Sequence, residues 1–296
     1  TVIAAFPAFG PKGEPVNVSE YLLQNAHDDK PALIDNGRRC SYAELKGSIA
    51  VLEARLVEAG VKASSSVCIV ASNSEFWVAA YLATIRLGAV AVPFCPTDVP
   101  GDLERLVNFV SVSAICLQRQ YLSRFAGVMA PGTKVILDDI LGERNPASRL
   151  ALMVPQTVGD QQDAALMPTS GTTSSPKLVR ITHRNIRANT ESIIQSLGLT
   201  DNERILAALP FYYCFGTSLL HTHLRVGASL VLCSSFAYPE QVLDLIEAEQ
   251  CTGFAGVPSM FQALLRNSTL PKRRFPSLQK VQQAGGKLPT VQIEEL

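Results

Sequence analysis

Residues Thr169 to Lys177 read Thr-Ser-Gly-Thr-Thr-Ser-Ser-Pro-Lys. Hydroxyl side chains surround one glycine, and a lysine closes the run. Such a run suits a polyphosphate, because backbone N–H groups and hydroxyls donate to phosphate oxygens while an ammonium offsets their charge. It is not the Walker pattern G-x-x-x-x-G-K-[ST]. Pro176 stands where the second glycine belongs, and Leu178 replaces the Ser/Thr that would hold magnesium. The flanks differ as well. Ala164-Ala165-Leu166-Met167 reads as a buried strand, Leu178-Val179-Arg180-Ile181 as a second extended stretch, and Thr182 as the N-cap of a helix starting near His183. Taken alone, the run also reads as a Ser/Thr-rich surface linker.

The order of loop, strand and helix resembles the acyl-adenylate-forming superfamily, which comprises acyl-CoA synthetases, nonribosomal peptide adenylation domains and luciferases. Its members carry a Thr-Ser-Gly-[Ser/Thr]-Thr-Gly-x-Pro-Lys loop and, soon after, a Thr-His-x-Asn segment. Here that segment is Thr182-His183-Arg184-Asn185. Ser174 and Leu178 replace two glycines of the family pattern. Ser174 lies inside the loop, and a positive φ there would strain a serine where glycine is free. Three further segments follow in the family's order: Leu209-Pro210-Phe211-Tyr212-Tyr213-Cys214-Phe215-Gly216, Phe254-Ala255-Gly256-Val257-Pro258-Ser259, and Ala284-Gly285-Gly286-Lys287-Leu288-Pro289. Read by themselves, the first is an aromatic core cluster and the last an ordinary turn.

The resemblance implies a fold and a chemistry. The fold is α/β, with layered and mostly parallel sheets flanked by helices, as in the N-terminal large domain of an adenylate-forming enzyme. The chemistry is attack of a substrate carboxylate on the α-phosphorus of ATP, giving an acyl-adenylate and pyrophosphate. Transfer of the acyl group to a thiol of CoA or of a carrier protein follows in the complete enzyme. Thr169, Ser170, Gly171, Thr172, Thr173, Ser174 and Lys177 would hold phosphates, with Lys177 acting in catalysis. Tyr212, Tyr213, Phe215 and Gly216 would border the carboxylic-acid pocket, opposite Gly256 and Val257. Gly285 and Gly286 would flank adenine, since small residues let a flat base lie close to the backbone. Magnesium is implied with ATP, but no metal ligand is assigned in this chain. Family members continue past the Gly-Gly turn to a Tyr-Gly-x-Thr-Glu segment, a ribose-binding aspartate and a C-terminal lysine. The expectation is therefore a fragment or a truncated or split form, folded but without adenylation activity of its own. Two other classes stay open: a non-catalytic module that binds an acyl ligand or a partner, and an atypical phosphate-loop nucleotide hydrolase.

The elements that must position these residues alternate along the chain. Val67 to Val70, Ala89 to Pro93, Ala114 to Leu117, Val135 to Leu137 and Leu230 to Cys233 read as strands, and Asn73 to Leu87 and Leu103 to Val112 as helices. Helical spacing after Pro258, at Met260, Leu264 and Leu265, predicts another helix. Asn36-Gly37 predicts a hairpin, and Ser41 with Glu44 a capping box opening a helix with Leu45, Ile49, Leu52 and Leu56 on its apolar stripe. Arg86-Leu87-Gly88-Ala89-Val90-Ala91-Val92-Pro93 reads as a helix-Gly-strand crossing. Gly142 to Asp163 is polar and turn-rich, which predicts a connector between a first subdomain at 1–160 and a second at 161–296.

Composition narrows the class. The 296 residues carry 26 basic and 26 acidic side chains, so no charge excess points to nucleic acid or an anionic membrane. The apolar run from Phe76 to Ile85 is too short to span a bilayer. The first residues lack a basic n-region and a signal core, and the absent initiator methionine suggests processing or an incomplete chain. Seven dispersed cysteines have neither zinc nor redox spacing and suit buried thiols in a reducing, cytoplasmic setting. His221-Thr222-His223 would place two imidazoles on one side of a strand, yet with no acidic or cysteine partner they read as structural histidines.

Overall fold

The computed structural model describes residues 16–129, 132–142, 152–169 and 177–295. The chain runs α1 (Val18–Leu23), β1 (Pro31–Asp35), β2 (Arg38–Ser41), α2 (Tyr42–Glu58), β3 (Ser66–Val70), α3 (Glu75–Arg86), β4 (Val90–Phe94), α4 (Pro100–Val110), β5 (Ala114–Leu117), α5 (Leu122–Phe125) and β6 (Val135–Leu137). It continues through β7 (Asp163–Pro168), β8 (Leu178–Thr182), α6 (His183–Leu197), β9 (Arg204–Ala207), α7 (Cys214–Val226), β10 (Ser229–Leu232), α8 (Pro239–Ala248), β11 (Gly253–Gly256), α9 (Pro258–Asn267), β12 (Lys280–Gln283) and α10 (Thr290–Glu295). Each strand foreseen from the sequence is present within a residue of its expected bounds, except the one read at 221–223, which is helical.

Local chemistry sets the element ends. Asn36 and Gly37 both take positive φ, at 48° and 78°, which is the turn that lets β1 and β2 pair antiparallel. The capping box of Ser41 and Glu44 opens α2, and Thr182 with Asn185 forms a second one at α6. Gly198 and Gly227 end α6 and α7 in the left-handed conformation. At Gly227 a Cβ would also lie 2.7 Å from the Asn25 carbonyl oxygen, so glycine is required twice over.

Two six-stranded sheets form, in the orders β12-β11-β9-β10-β1-β2 and β6-β5-β3-β4-β7-β8. Most neighbours are parallel; β1–β2 and β7–β8 are antiparallel edge pairs. The sheets interleave along the chain. The early hairpin joins the later sheet by pairing β1 with β10, whereas β7 pairs with β4 of the earlier one. Division between sheets therefore does not coincide with the boundary drawn at 160–161. One hydrophobic cluster includes Leu33 and Ile34 of one sheet, Val67 and Ile69 of the other, and most of α3. That explains why α3 is apolar on every face: it is buried from Phe76 to Arg86. A second cluster lies under α4 and α5, around Val92, Leu103, Leu106 and Phe125.

Residues 152–162 carry no helix or strand, as the connector reading expects. They are tied down by an ion pair that is itself buried. Arg86 Nε donates to Glu53 Oε1 at 2.9 Å, Arg86 Nη2 to the Met153 carbonyl at 2.6 Å, and Met153 N–H to Glu53 Oε2 at 3.0 Å. Each charge thus meets a partner and a backbone group, which is what makes its burial tolerable.

Candidate functional site

Parallel strands direct their carboxyl ends one way, and the loops leaving those ends gather at one rim. Thr169 follows β7, Leu209 to Tyr213 follow β9, Val257 follows β11, and Ala284 to Gly286 follow β12. The residues expected to do chemistry, though far apart in sequence, therefore leave equivalent strand ends on two neighbouring sheets.

The phosphate-loop candidates sit on a hairpin. β7 and β8 pair antiparallel through Pro168↔Leu178, and both N–H and Oγ1 of Thr169 donate to the Lys177 carbonyl, at 3.0 and 3.3 Å. Lys177 is exposed and makes no ion pair among the described residues. Ser170, Gly171, Thr172, Thr173 and Ser174 lie outside the described residues, so the strain expectation at Ser174 does too. Strand β8 and then helix α6 follow Lys177, in the expected order. Helix α6 starts behind it, and His183 is fully buried there. Its Nδ1 accepts from Val18 N–H at 3.1 Å, and burial, aided by Arg187, lowers its pKa to about 4. His183 thus joins α1 to α6.

Asn73 holds the aromatic segment by its stem. This buried side chain follows β3 in one sheet and reaches the loop after β9 in the other. Its Nδ2 donates to the Ala207 and Leu209 carbonyls, both at 2.9 Å, and its Oδ1 accepts from Phe211 N–H at 2.9 Å. Phe211 is fully buried against Trp77, with ring centroids 5.2 Å apart. Tyr212 and Tyr213 face outward and pack edge to face at 4.8 Å. Burial, then a hydrogen bond with Cys95, raises the Tyr212 pKa; burial also raises that of Tyr213, although it is 53% exposed. Phe215 is half-buried against the core. Gly216 is buried where α7 turns back under its own loop, and a Cβ there would stand 2.1 Å from the Pro210 oxygen. Within the described residues its visible duty is close packing.

Gly256 and Val257 end β11, beside the Gly-Gly turn that ends β12. Gly285 has φ +84°, and a Cβ on it would lie 3.1 Å from Val257 Cγ1. A Cβ on Gly286 would lie 3.3 Å from Pro258 Cγ. The bare backbone of the Gly-Gly turn lies against the Val257 and Pro258 side chains, forming a low ledge at the end of β12. A planar ring fits such a ledge, and a Cβ on either glycine would press on Val257 or Pro258.

A cavity of about 280 Å³ opens between β7, β8, α3, α6 and α7. Ala165, Met167, Ile181 and Ile186 make its apolar walls. Tyr81 and His221 make its floor, and Asn185, Asn189, Cys214, Thr217 and Ser218 supply the remaining surface. Among the described residues no carboxylate, ammonium or guanidinium lines it. Sequence reading missed this cavity. It treated 221–223 as a strand, whereas the segment lies in α7, where Cys214, Thr217, Ser218 and His221 share one face at helical spacing. The two-histidine pattern is thereby corrected. His221 Nε2 meets Tyr81 Oη at 3.0 Å, while His223 Nδ1 donates to the Leu219 carbonyl at 2.8 Å. Burial keeps both neutral, with pKa values lowered to about 3 and about 4. Among the described residues no group of three or more His, Cys, Asp or Glu side chains gathers to hold a metal, and no helix is long and apolar enough to cross a membrane.

Comparison with known proteins agrees with this geometry. The family described as AMP-binding enzyme matches residues 23–296. The acyl-CoA ligase sidI of Aspergillus fumigatus is 27% identical over 266 residues, covering 80% of this chain and 44% of that protein. ATP-bound MatB of Rhodopseudomonas palustris superposes with a TM-score of 0.84 at 23% identity, over 94% of this chain and 56% of that one. The anthranilate CoA ligase AuaEII with anthranoyl-AMP superposes at 0.87 and 20% identity, over 96% of this chain and 57% of its own. This chain spans about half the length of these relatives.

Proposed function

Because the chain belongs to the AMP-binding enzyme family, we propose that it forms the acid- and nucleotide-holding part of an ATP-dependent, AMP-forming acid–thiol ligase. The observation that carries this reading is convergence. The stem of the Thr169–Lys177 loop, the aromatic segment and the Gly-Gly ledge all leave the carboxyl ends of parallel strands in adjoining sheets.

In the reaction, a carboxylate oxygen forms a bond to the α-phosphorus of ATP and the bond to pyrophosphate breaks. The protein's contribution to such a step is mainly positioning and charge stabilisation. Lys177 offsets charge on the departing phosphates, and the loop from Thr169 holds them. Gly285 and Gly286 give the adenine a flat support against Val257 and Pro258. The aromatic segment closes over the acid. Magnesium, when bound with ATP, neutralises phosphate charge, and no residue described here is assigned to it. The acyl group then passes to a thiol. CoA is the acceptor favoured by the ligase relatives, with a carrier protein as the other thiol of this chemistry.

Pyrophosphate exchange across a carboxylic-acid panel, run on the full-length protein that carries this chain, tests the reading. Exchange that depends on an acid is expected, and Lys177→Ala should slow it by about tenfold or more. Release of ADP in place of AMP, or acid binding without any exchange, would sink it in favour of a phosphate-loop hydrolase or a binding module respectively.

A further inference from the structure

We propose that the cavity floored by Tyr81 and His221 receives the distal end of the substrate acid, and that this end is uncharged and carries a small hydrogen-bonding group, as in a hydroxylated aromatic acid. The inference rests on the adenylation reading and adds the class of acid.

Position comes first. Met167 lines the cavity two residues before Thr169, where the phosphate loop begins. Cys214 lines it immediately after Tyr213 of the aromatic segment. An acid whose carboxylate lies near the loop therefore has this space beside it. A volume of about 280 Å³ holds a single substituted ring or a short chain.

Chemistry comes second. A second carboxylate or an ammonium placed here would lose water and meet no opposite charge from the described lining, none of which is ionic. The polar groups present are neutral. Tyr81 stacks on both Trp77 and His221, with centroid separations of 5.0 and 5.6 Å, and Phe211 packs tilted against Trp77 at 5.2 Å, so the floor is backed by a row of aromatic rings. His221 uses Nε2 on Tyr81, and its Nδ1 has no protein partner among the described residues. Whichever nitrogen holds the proton, the ring keeps one hydrogen-bonding atom unused. A hydroxyl can both donate and accept, so it suits either tautomer. Rim amides Asn185 and Asn189 and the Ser218 hydroxyl extend the same neutral character.

Benzoate, 3-hydroxybenzoate and isophthalate share a ring and differ at one position, where they carry hydrogen, hydroxyl or a second carboxylate. Their binding to the full-length protein, read by isothermal titration calorimetry, tests the proposal. 3-Hydroxybenzoate should bind about tenfold tighter than isophthalate, the order expected when an unpaired charge must be desolvated. His221→Phe should bring 3-hydroxybenzoate down to the affinity of benzoate. Tyr81→Phe, which removes one oxygen and no packing, should change the same ratio. Asn189→Arg lies at an exposed rim position that cannot unfold the core, and it should raise isophthalate affinity severalfold. The proposal is overturned if isophthalate binds as tightly as 3-hydroxybenzoate, if none of the acids binds, or if Asn189→Arg leaves isophthalate unchanged. Pyrophosphate exchange on the same samples separates the two levels. The expected binding order without exchange would remove the adenylation reading and leave the cavity assignment standing. Exchange with the reversed order would remove the cavity assignment alone.

Discussion

The aromatic segment and the phosphate-loop stem leave strands of adjoining sheets, and they are held in opposite ways. Between Ala207 and Gly216 the backbone is fastened from a distance. Asn73 satisfies three of its groups, Phe211 is buried in the core, and the Pro210 carbonyl closes over Gly216. At Thr169 and Lys177 the chain is fastened by its own neighbours, through two bonds to one carbonyl and the β7–β8 ladder. On the proposed reading the first segment is a wall against the acid and gains from rigid support, because misplacing it weakens every contact at once. On the same reading the second holds phosphates, which takes donors and a cation that can stand in water. Stability and function are thus coupled in the first segment and nearly separate in the second.

The largest effect that tests this contrast should come from Gly216→Ala. The added carbon would face two backbone atoms of Pro210, at 2.1 and 2.6 Å, and backbone cannot swing aside as a side chain can. A loss of about 3 kcal/mol, the upper range for overpacking, is expected in urea denaturation. An unchanged midpoint would show that the loop is less rigidly placed than the contacts require. Asn73→Ala comes next. It leaves the Leu209 carbonyl and the Phe211 N–H without their partner in a buried place, while the Ala207 carbonyl keeps its bond from Cys233 N–H, so a loss of about 2 kcal/mol is expected, with KM for the acid rising more than KM for ATP. Asn73→Asp should not rescue it, since a carboxylate would face the same two carbonyls. Equal changes in both KM values would reduce Asn73 to a general stabiliser.

Titration sharpens the comparison further, because His221 lies at the foot of the aromatic side. His183, His221 and His223 all have folded pKa values below the ordinary histidine value, for reasons dominated by burial. The unfolded chain therefore binds more protons between about pH 6.5 and pH 4. Stability from this source is complete above about pH 6.5 and is lost as pH falls toward the folded values, with a slope of up to about 1.4 kcal/mol per pH unit for each histidine. Denaturant midpoints between pH 7 and pH 5 measure it, and a flat profile would contradict neutral burial. Smallest of all is the effect of Lys177→Ala on stability, expected within about 0.5 kcal/mol, even while exchange slows. A large drop in the thermal midpoint would mean that this lysine supports the fold.

Much of this was legible in the sequence wherever a local rule sufficed. Asn36-Gly37 dictates its turn, Ser41 with Glu44 and Thr182 with Asn185 dictate helix starts, and period-2 or period-3.6 patterns place strands and helices. Ordered motifs likewise pointed to the family. Less legible was His221, because Leu-Leu-His-Thr-His-Leu alternates enough to resemble a strand, yet the segment is helical and packs against α1 and α6. Asn73 gave no sign of its role either, since its partners lie more than 130 residues away.

By itself, then, the sequence determined where most strands and helices lie and pointed to the family, because those signals depend on neighbours a few residues apart. Tertiary structure decided that β1–β2 closes the later sheet and β7–β8 the earlier one, that Asn73 bridges the two, and that Tyr81 and His221 floor an uncharged cavity. The reason is physical. Strand pairing and cavity lining are settled by burying apolar area shared between distant segments, and that shared area has no local signature in the chain.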